Sequence, residues 1–259
     1  MNAVLGAVFI LKWGELEFKR ARSLVSTMFR INFYNSQRIT IMCMKCIFAT
    51  FFGVAFYFTN TIALAQSVPL TRESYLRDGA TKGVVLLSVR WDRKWNCAGF
   101  KNAQLRLIGF DLLPSKHLID DDAVDLLLDD APLIMTKPNF DDYAFLIDPG
   151  QYALSRLHIK VARSVSDVGV AKIGRDHLLK DGVPDGGTFN VEAGEVVYIG
   201  HFSIDCYKEP ILWRFYIEDK NGFGNYLIRQ KEKIPELDIS KAKFRLFKSK
   251  YFGRDYDLK

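Results

Sequence analysis

The stretch TFNVEAGEVVYIGHFSIDCYKEPILWRFYIED, residues 188–219, decides the fold class. Val196, Tyr198, Phe202, Ile204 and Cys206 fall on one face of an extended chain. Beyond the connection Lys208-Glu209-Pro210, the residues Ile211, Trp213, Phe215 and Ile217 do the same. Residues two apart share a face of a strand, so two such runs around a short proline-bearing connection predict a β-hairpin with Cys206 turned to the core. DKNGFGN, residues 219–225, closes it.

Working outward, GVVLLSVRW (83–91) sets Val85, Leu87, Val89 and Trp91 opposite Ser88 and Arg90. NAQLRLIGF (102–110) sets Ala103, Leu105 and Leu107 opposite Gln104 and Arg106. Both patterns predict half-buried antiparallel strands, one face to the core and one to water. In DYAFLIDPGQYALSRLHIKVA (142–162) the turn Asp148-Pro149-Gly150 divides two apolar runs. Tyr152 and Leu154 are out of phase with Leu157, Ile159 and Val161, which predicts a bulge near Ser155. Residues 113–140 break the pattern as an acidic insertion with a short helix over 122–128. NYLIRQKEK (225–233) fits strand or helix. Beyond Pro235, ISKAKFRLFKSKYF (239–252) places Phe244, Phe247 and Tyr251 at helical spacing among basic residues, with Asp238 as the cap. The expected fold is mainly β, an antiparallel β-sandwich of about seven strands with a C-terminal amphipathic helix, preceded by a signal-peptide helix.

KCIFATFFGVAFYFTNTIALAQS, residues 45–67, has the order of a secretory leader. A lysine precedes thirteen uncharged residues, and a small, polar end closes on Ala63-Leu64-Ala65. A membrane anchor needs about 20 apolar residues, a length Cys46–Ala65 reaches only by including its polar end. Cleavage after Ala65 and a retained anchor are the two readings. Met42 and Met44 stand where such a leader should start, so residues 1–41 read as an extension outside any domain, non-native or cytoplasmic. The organisation expected is thus 1–41 extension, 42–65 leader, 66–228 sandwich carrying the insertion 113–140, and 229–259 basic helix and tail.

Removing residues 1–65 takes seven basic and two acidic residues from totals of 36 and 30, leaving 29 and 28. The basic character of the whole chain therefore belongs largely to residues 1–65 and does not argue for nucleic acid. Two cysteines remain, Cys97 and Cys206. In an oxidising compartment such a pair reads as a disulfide; the competing reading is two buried thiols.

FLIDPGQYAL and FNVEAGEVVYIGHF resemble segments of uncharacterised bacterial envelope proteins with a transthyretin-like sandwich: an apolar strand, a Pro-Gly turn, an outgoing strand that starts with tyrosine, and later a Gly-Glu turn into a VYIG-like strand. The resemblance covers residues 82–218. It implies an extracytoplasmic location and a non-catalytic body, and it carries over no functional residues.

The residues with reactive side chains do not assemble by sequence. His201, Ser203 and Asp205 alternate along one strand, in steps of about 6.6–6.8 Å, too far apart for proton relay at about 2.6–3.2 Å; they read as a solvent-facing strand end. His117, His158, His177 and His201 never stand at metal-ligand spacing. Nine aspartates between Asp120 and Asp148 against Lys137 give a net −8 but lack a calcium-loop register, and read as a solvated loop. Nine bases between Arg229 and Arg254 against three acids give +6, which suits a helix docked on the sandwich or one lying on an anionic membrane surface; acidic loop and basic tail could also meet. No catalytic, cofactor or metal residue is assigned. The leading expectation is an exported, non-catalytic β-sandwich protein of a bacterial cell envelope, periplasmic or secreted, acting by binding or as a structural accessory. A membrane-anchored surface protein is the alternative, and a hydrolase using His201 or His158 comes third.

Overall fold

The structure, a computed structural model, describes residues 68–118, 122–132 and 138–259; the leader 42–65 and the extension 1–41 lie outside the described residues. The strands are β1 (Val68–Pro69), β2 (Gly83–Val89), β3 (Lys94–Cys97), β4 (Phe100–Leu112), β5 (Leu126–Leu128), β6 (Asp141–Ile147), β7 (Gly150–Ala162), β8 (Val168–Ile173), β9 (Thr188–Val191), β10 (Val196–Asp205), β11 (Ile211–Phe215) and β12 (Ala242–Phe244). The helices are α1 (Arg72–Asp78), α2 (Arg175–Leu178) and α3 (Lys220–Lys233). The chain is mainly β, as expected, but with twelve strands among the described residues rather than about seven. One sheet runs β1-β6-β2-β10-β11 with β12 also on β10. The other runs β3-β4-β7-β8 with β5 on β4 and β9 on β7. The first sheet is mixed, not purely antiparallel: β2 and β12 both lie parallel to β10.

Two cores explain the arrangement. Between the sheets pack Val85, Leu87 and Val89 of β2 and Val197, Ile199, Phe202 and Ile204 of β10, against Leu105, Ile108 and Phe110 of β4 and Leu154, Leu157 and Ile159 of β7. On the far side of the first sheet Val84, Leu86, Val196 and Tyr198 pack against Phe223, Tyr226 and Leu227 of α3. Hence β2 is buried along its whole length, and the half-buried reading of residues 83–91 is corrected: Ser88 faces a second core, not water. The same cause revises β10. Its register on β2 slips between Tyr198 and Gly200, where Gly200 has φ +121° and a Cβ would press on Arg214. Val196 and Tyr198 therefore face one core while Phe202 and Ile204 face the other. The hairpin to β11 is antiparallel as expected, yet its buried residues are Leu212 and Arg214 rather than Ile211, Trp213 and Phe215.

In the second sheet the bulge expected near Ser155 is present. Gly109 pairs with Arg156 and Phe110 with Leu154, so Ser155 is the extra residue. A second slip leaves Arg106 unpaired between Leu105 and Leu107. The Asp148-Pro149-Gly150 turn carries the chain from one sheet to the other, and the Tyr152 hydroxyl donates back to the Asp148 carbonyl at 2.9 Å. The insertion's expected short helix is replaced by β5, whose Leu126 and Leu128 reach the core beside β4.

The helix sits earlier than expected. Asp219 accepts a hydrogen bond from the Gly222 N–H at 2.7 Å and caps α3; Phe223, Tyr226, Leu227 and Gln230 form its buried stripe at i, i+3, i+4 and i+7. Pro235 follows, since proline cannot continue a helix interior. The tail, expected as a helix over 239–252, is instead a short 3₁₀ turn followed by β12 and an extended run. Arg245 and Phe247 donate their N–H groups to the carbonyls of Tyr198 and Ile199, and Lys248 pairs with Thr188 of β9. The tail thus crosses from β10 to β9 and drops Phe247 and Phe252 between the sheets. Cys97 and Cys206 form a disulfide with Cα atoms 4.7 Å apart.

An extended tail makes a distinction that a helix would not. Phe247 is 0% and Tyr251 68% exposed, although helical spacing would put both on the apolar face. Phe247→Ala is expected to lower stability by about 3–5 kcal/mol and Tyr251→Ala by no more than about 0.5 kcal/mol in urea titrations. Equal losses would refute the strap.

Candidate functional site

The sandwich scaffold brings two polar clusters together that no sequence spacing announces. The first lies beneath α3. Asp142 of β6, Ser88 of β2 and His201 of β10 stand opposite one another across three adjacent strands. The Ser88 hydroxyl donates to Asp142 Oδ1 at 2.7 Å, and Arg229 of α3 approaches Asp142 Oδ2 at 3.5 Å. The His201 ring lies 4.8 Å from the Phe140 ring centroid, with Tyr198 and Tyr226 further round it. Burial lowers its pKa to about 4; the nearby Asp142 carboxylate opposes that shift and Arg229 adds to it. Burial likewise drives the Tyr226 hydroxyl far above its ordinary range.

These are the three residue types of a hydrolase triad, drawn from different strands than the His201, Ser203 and Asp205 alternation. The chemistry does not close. The serine proton is held by the carboxylate, and His201 Nε2 has no hydrogen-bond partner, whereas nucleophilic activation requires the imidazole on the hydroxyl. Ser203 is buried rather than solvent-facing and accepts from Arg90 Nε at 3.3 Å. Tyr226 Oη lies near Ser88 and Gln230 without closing a bond of good geometry to either. What the arrangement does is seat α3: Arg229 and Lys233 both reach Asp142 from the helix.

The second cluster fastens the insertion to the second sheet. Asp111, fully buried on β4, receives Arg175 Nε at 2.5 Å and Nη2 at 3.0 Å, Ser155 Oγ at 2.9 Å and Ser115 Oγ at 2.8 Å. Arg175 also donates to the carbonyls of Leu118 and Ala123. Ser155, the bulged residue, is turned inward for this purpose. Asp125 accepts the Leu112 N–H at 2.7 Å and contacts His117 Nε2 at 3.2 Å. Asp111, His117 and Asp125 bring potential ligand atoms within 4.8 Å of one another, so a metal-type donor set does assemble from distant positions. Yet both Asp111 oxygens already carry two donors each, and a resident guanidinium repels any cation. The cluster reads as a strut.

Other residues singled out in the sequence fall apart spatially. His158 stands opposite Lys172 on the outer face of the second sheet, and His177 is exposed beside Asp176. The basic segment meets the acidic one where Arg229 and Lys233 reach Asp142; further along the tail Lys243 and Arg245 close on Glu195 at 2.8 Å each. Burial pushes the Glu195 carboxyl up, but these cations outweigh it and hold it below the usual range. Sequence reading missed Arg214, which runs fully buried between Gly200 and Gly253 to the Arg254 carbonyl. A basic residue alternating with Leu212 was the available signal.

No protein-family model, no curated protein and no solved structure matches the chain. Among the described residues no helix is long and apolar enough to cross a membrane.

Two predictions test these assignments. Asp111→Asn leaves Arg175 buried without its counter-charge and is expected to cost about 3–5 kcal/mol, read as a shift in the denaturation midpoint; a loss below 1 kcal/mol would refute the strut. His201 has a folded pKa of about 4, below the ordinary value near 6.5. The unfolded chain therefore binds a proton that the fold refuses, and stability falls as pH drops from about 6.5 to 4. His201→Phe is expected to flatten that decline by about 2–3 kcal/mol, and parallel stability curves for the two proteins would overturn the assignment.

Proposed function

We propose that this is an exported, non-catalytic β-sandwich protein of a bacterial cell envelope, acting by binding or as a structural accessory. The observation that carries the reading is the Cys97–Cys206 disulfide, which persists in oxidising compartments and is rare in reducing ones. It stands beside the leader-like order of Lys45–Ala65 in the sequence. The non-catalytic part is supported by how the polar clusters are used: the Ser88 hydroxyl is committed to Asp142, and Asp111 to Arg175 and two serines. With these groups spent on holding elements in place, the reading puts recognition at the surface. The transthyretin-like resemblance belongs to the same proposal, resting on the Asp148-Pro149-Gly150 and Gly194-Glu195 turns.

A retained Cys46–Ala65 segment, making the protein membrane-anchored, is the second reading; the segment reaches the length of a span, about 20 residues, once its polar end is counted. One measurement separates the two. The intact mass and N-terminal residue of the protein recovered outside the cytoplasm are expected to give a chain starting at Gln66 that gains two mass units on reduction. A product that still carries Cys46–Ala65 would establish the anchor instead, and an unchanged mass on reduction would sink the disulfide argument.

A further inference from the structure

Strand β8 pairs with β7 and has no further neighbour among the described residues, so it is an edge of the second sheet, exposed along most of its length. The register fixes what its outer face presents. His158 of β7 stands opposite Lys172 of β8, Lys160 opposite Val170, and Ala162 opposite Val168. The last row continues through Asn102 of β4 to Trp95 of β3, a span of three strand spacings, about 14 Å. The hairpin joining β7 to β8 carries Val165 at its tip, 87% exposed, and Trp95 is 60% exposed.

Two features of this face have no use inside the molecule. Lys160 and Lys172 have no carboxylate within ion-pair distance among the described residues, and the insertion's Asp122 is engaged with Arg156 one row further back. Like charges directly across a strand pair are destabilising, yet Lys172 faces His158 with Arg156 close by. Burial first, then those two cations, keep the His158 imidazole below its ordinary pKa. The second feature is apolar. Val165, Val168 and Val170 are all exposed large hydrophobic residues, gathered at the hairpin end.

The order along the strands separates possible partners. At the tip Val165 and Val168 stand out between Arg163, which lies over the Phe100 ring, and Asp167, and the cations Lys160 and Lys172 follow one and two steps behind, about 7–13 Å away. A bilayer presents the matching order, with an apolar boundary beneath a layer of phosphates, and tryptophan favours that interface. An acidic peptide would use the cations and leave the valines without a role. We propose that the β7–β8 hairpin, with Trp95 beside it, docks on an anionic lipid surface, Val165, Val168 and Trp95 entering the headgroup boundary while Lys160 and Lys172 meet lipid phosphates. The inference rests on the export reading, which places the protein beside envelope membranes. It moves surface binding from the basic tail, two of whose cations are spent on Glu195, to this sheet edge.

The test is cosedimentation of the chain, purified as the cell delivers it, with vesicles of phosphatidylglycerol and phosphatidylcholine or of phosphatidylcholine alone. Binding is expected only to the anionic vesicles and to weaken in high salt. Lys160→Gln with Lys172→Gln should lower partitioning about 30-fold, roughly 5-fold for each cation, and Val165→Asp should abolish it. All three substitutions are on the surface, so an unchanged thermal midpoint checks the fold. Equal partitioning of the doubly substituted and unaltered chains, binding indifferent to lipid charge, or capture by polyglutamate without binding to vesicles would each overturn the proposal. Export is read separately from the N-terminal residue. Charge-dependent vesicle binding by a chain recovered only from the cytoplasm would refute export while leaving the docking face standing.

Discussion

Parallel strands cannot be joined by a tight turn; they need a crossover of a dozen or more residues. Here the parallel neighbours are β2 and β10, at the centre of the first sheet, and the crossover between them includes the whole second sheet. The chain leaves after β2 to form β3, β4 and β5, returns as β6, departs again for β7, β8 and β9, and closes as β10. Parallel pairs are normally buried on both faces, and this one is, by the second sheet on one side and α3 on the other. The Gly200 slip follows from that demand, because β10 must serve one core with Val196 and Tyr198 and the other with Phe202 and Ile204.

Buried charge appears where the chain must be tied down and apolar residues are too few to do it. The insertion is polar, and Arg175 with Asp111 holds its base. The tail is basic, and Glu195 takes two of its cations. Arg214 reaches the Arg254 carbonyl at the far end. Such ties contribute little net stability relative to well-packed apolar groups, but removing one partner is costly. They fasten each segment in one place, and this one-sided cost is what a tether requires.

Much of the β content was legible because alternation and turn residues act locally. The hairpin at 196–215, the phase change at Ser155 and the Pro-Gly turn all declared themselves. What misled was a pattern compatible with two periods. Phe244, Phe247 and Tyr251 suit a helix, but in the extended tail Phe244 and Leu246 serve the core beneath α3, Phe247 serves the other, and Tyr251 is exposed. The true helix was half hidden: NYLIRQKEK fitted strand or helix, while Gly222 and Gly224, each unfavourable in a helix by about 1 kcal/mol, and the Asp219 cap lay in a stretch that read as a turn. Of the polar clusters almost nothing could be read, since Asp111 and Arg175 are 64 residues apart and the Asp142, Ser88 and His201 row exists only through strand order. The cysteine pair was the exception, because two thiols allow only one pairing.

The strap from Ala242 to Phe252 also governs the order of assembly. Phe247 completes an aromatic cluster with Phe110, Phe189 and Phe202, and Lys248 seals β9 against the tail. A nascent chain lacking these last residues has both sheets in outline but an interior open along one seam, and its central strand pair joins segments more than a hundred residues apart. Non-local contacts of this kind form slowly. The interior therefore stays unclosed until residues 242–252 have been synthesised, and under the export reading that delay keeps the chain threadable.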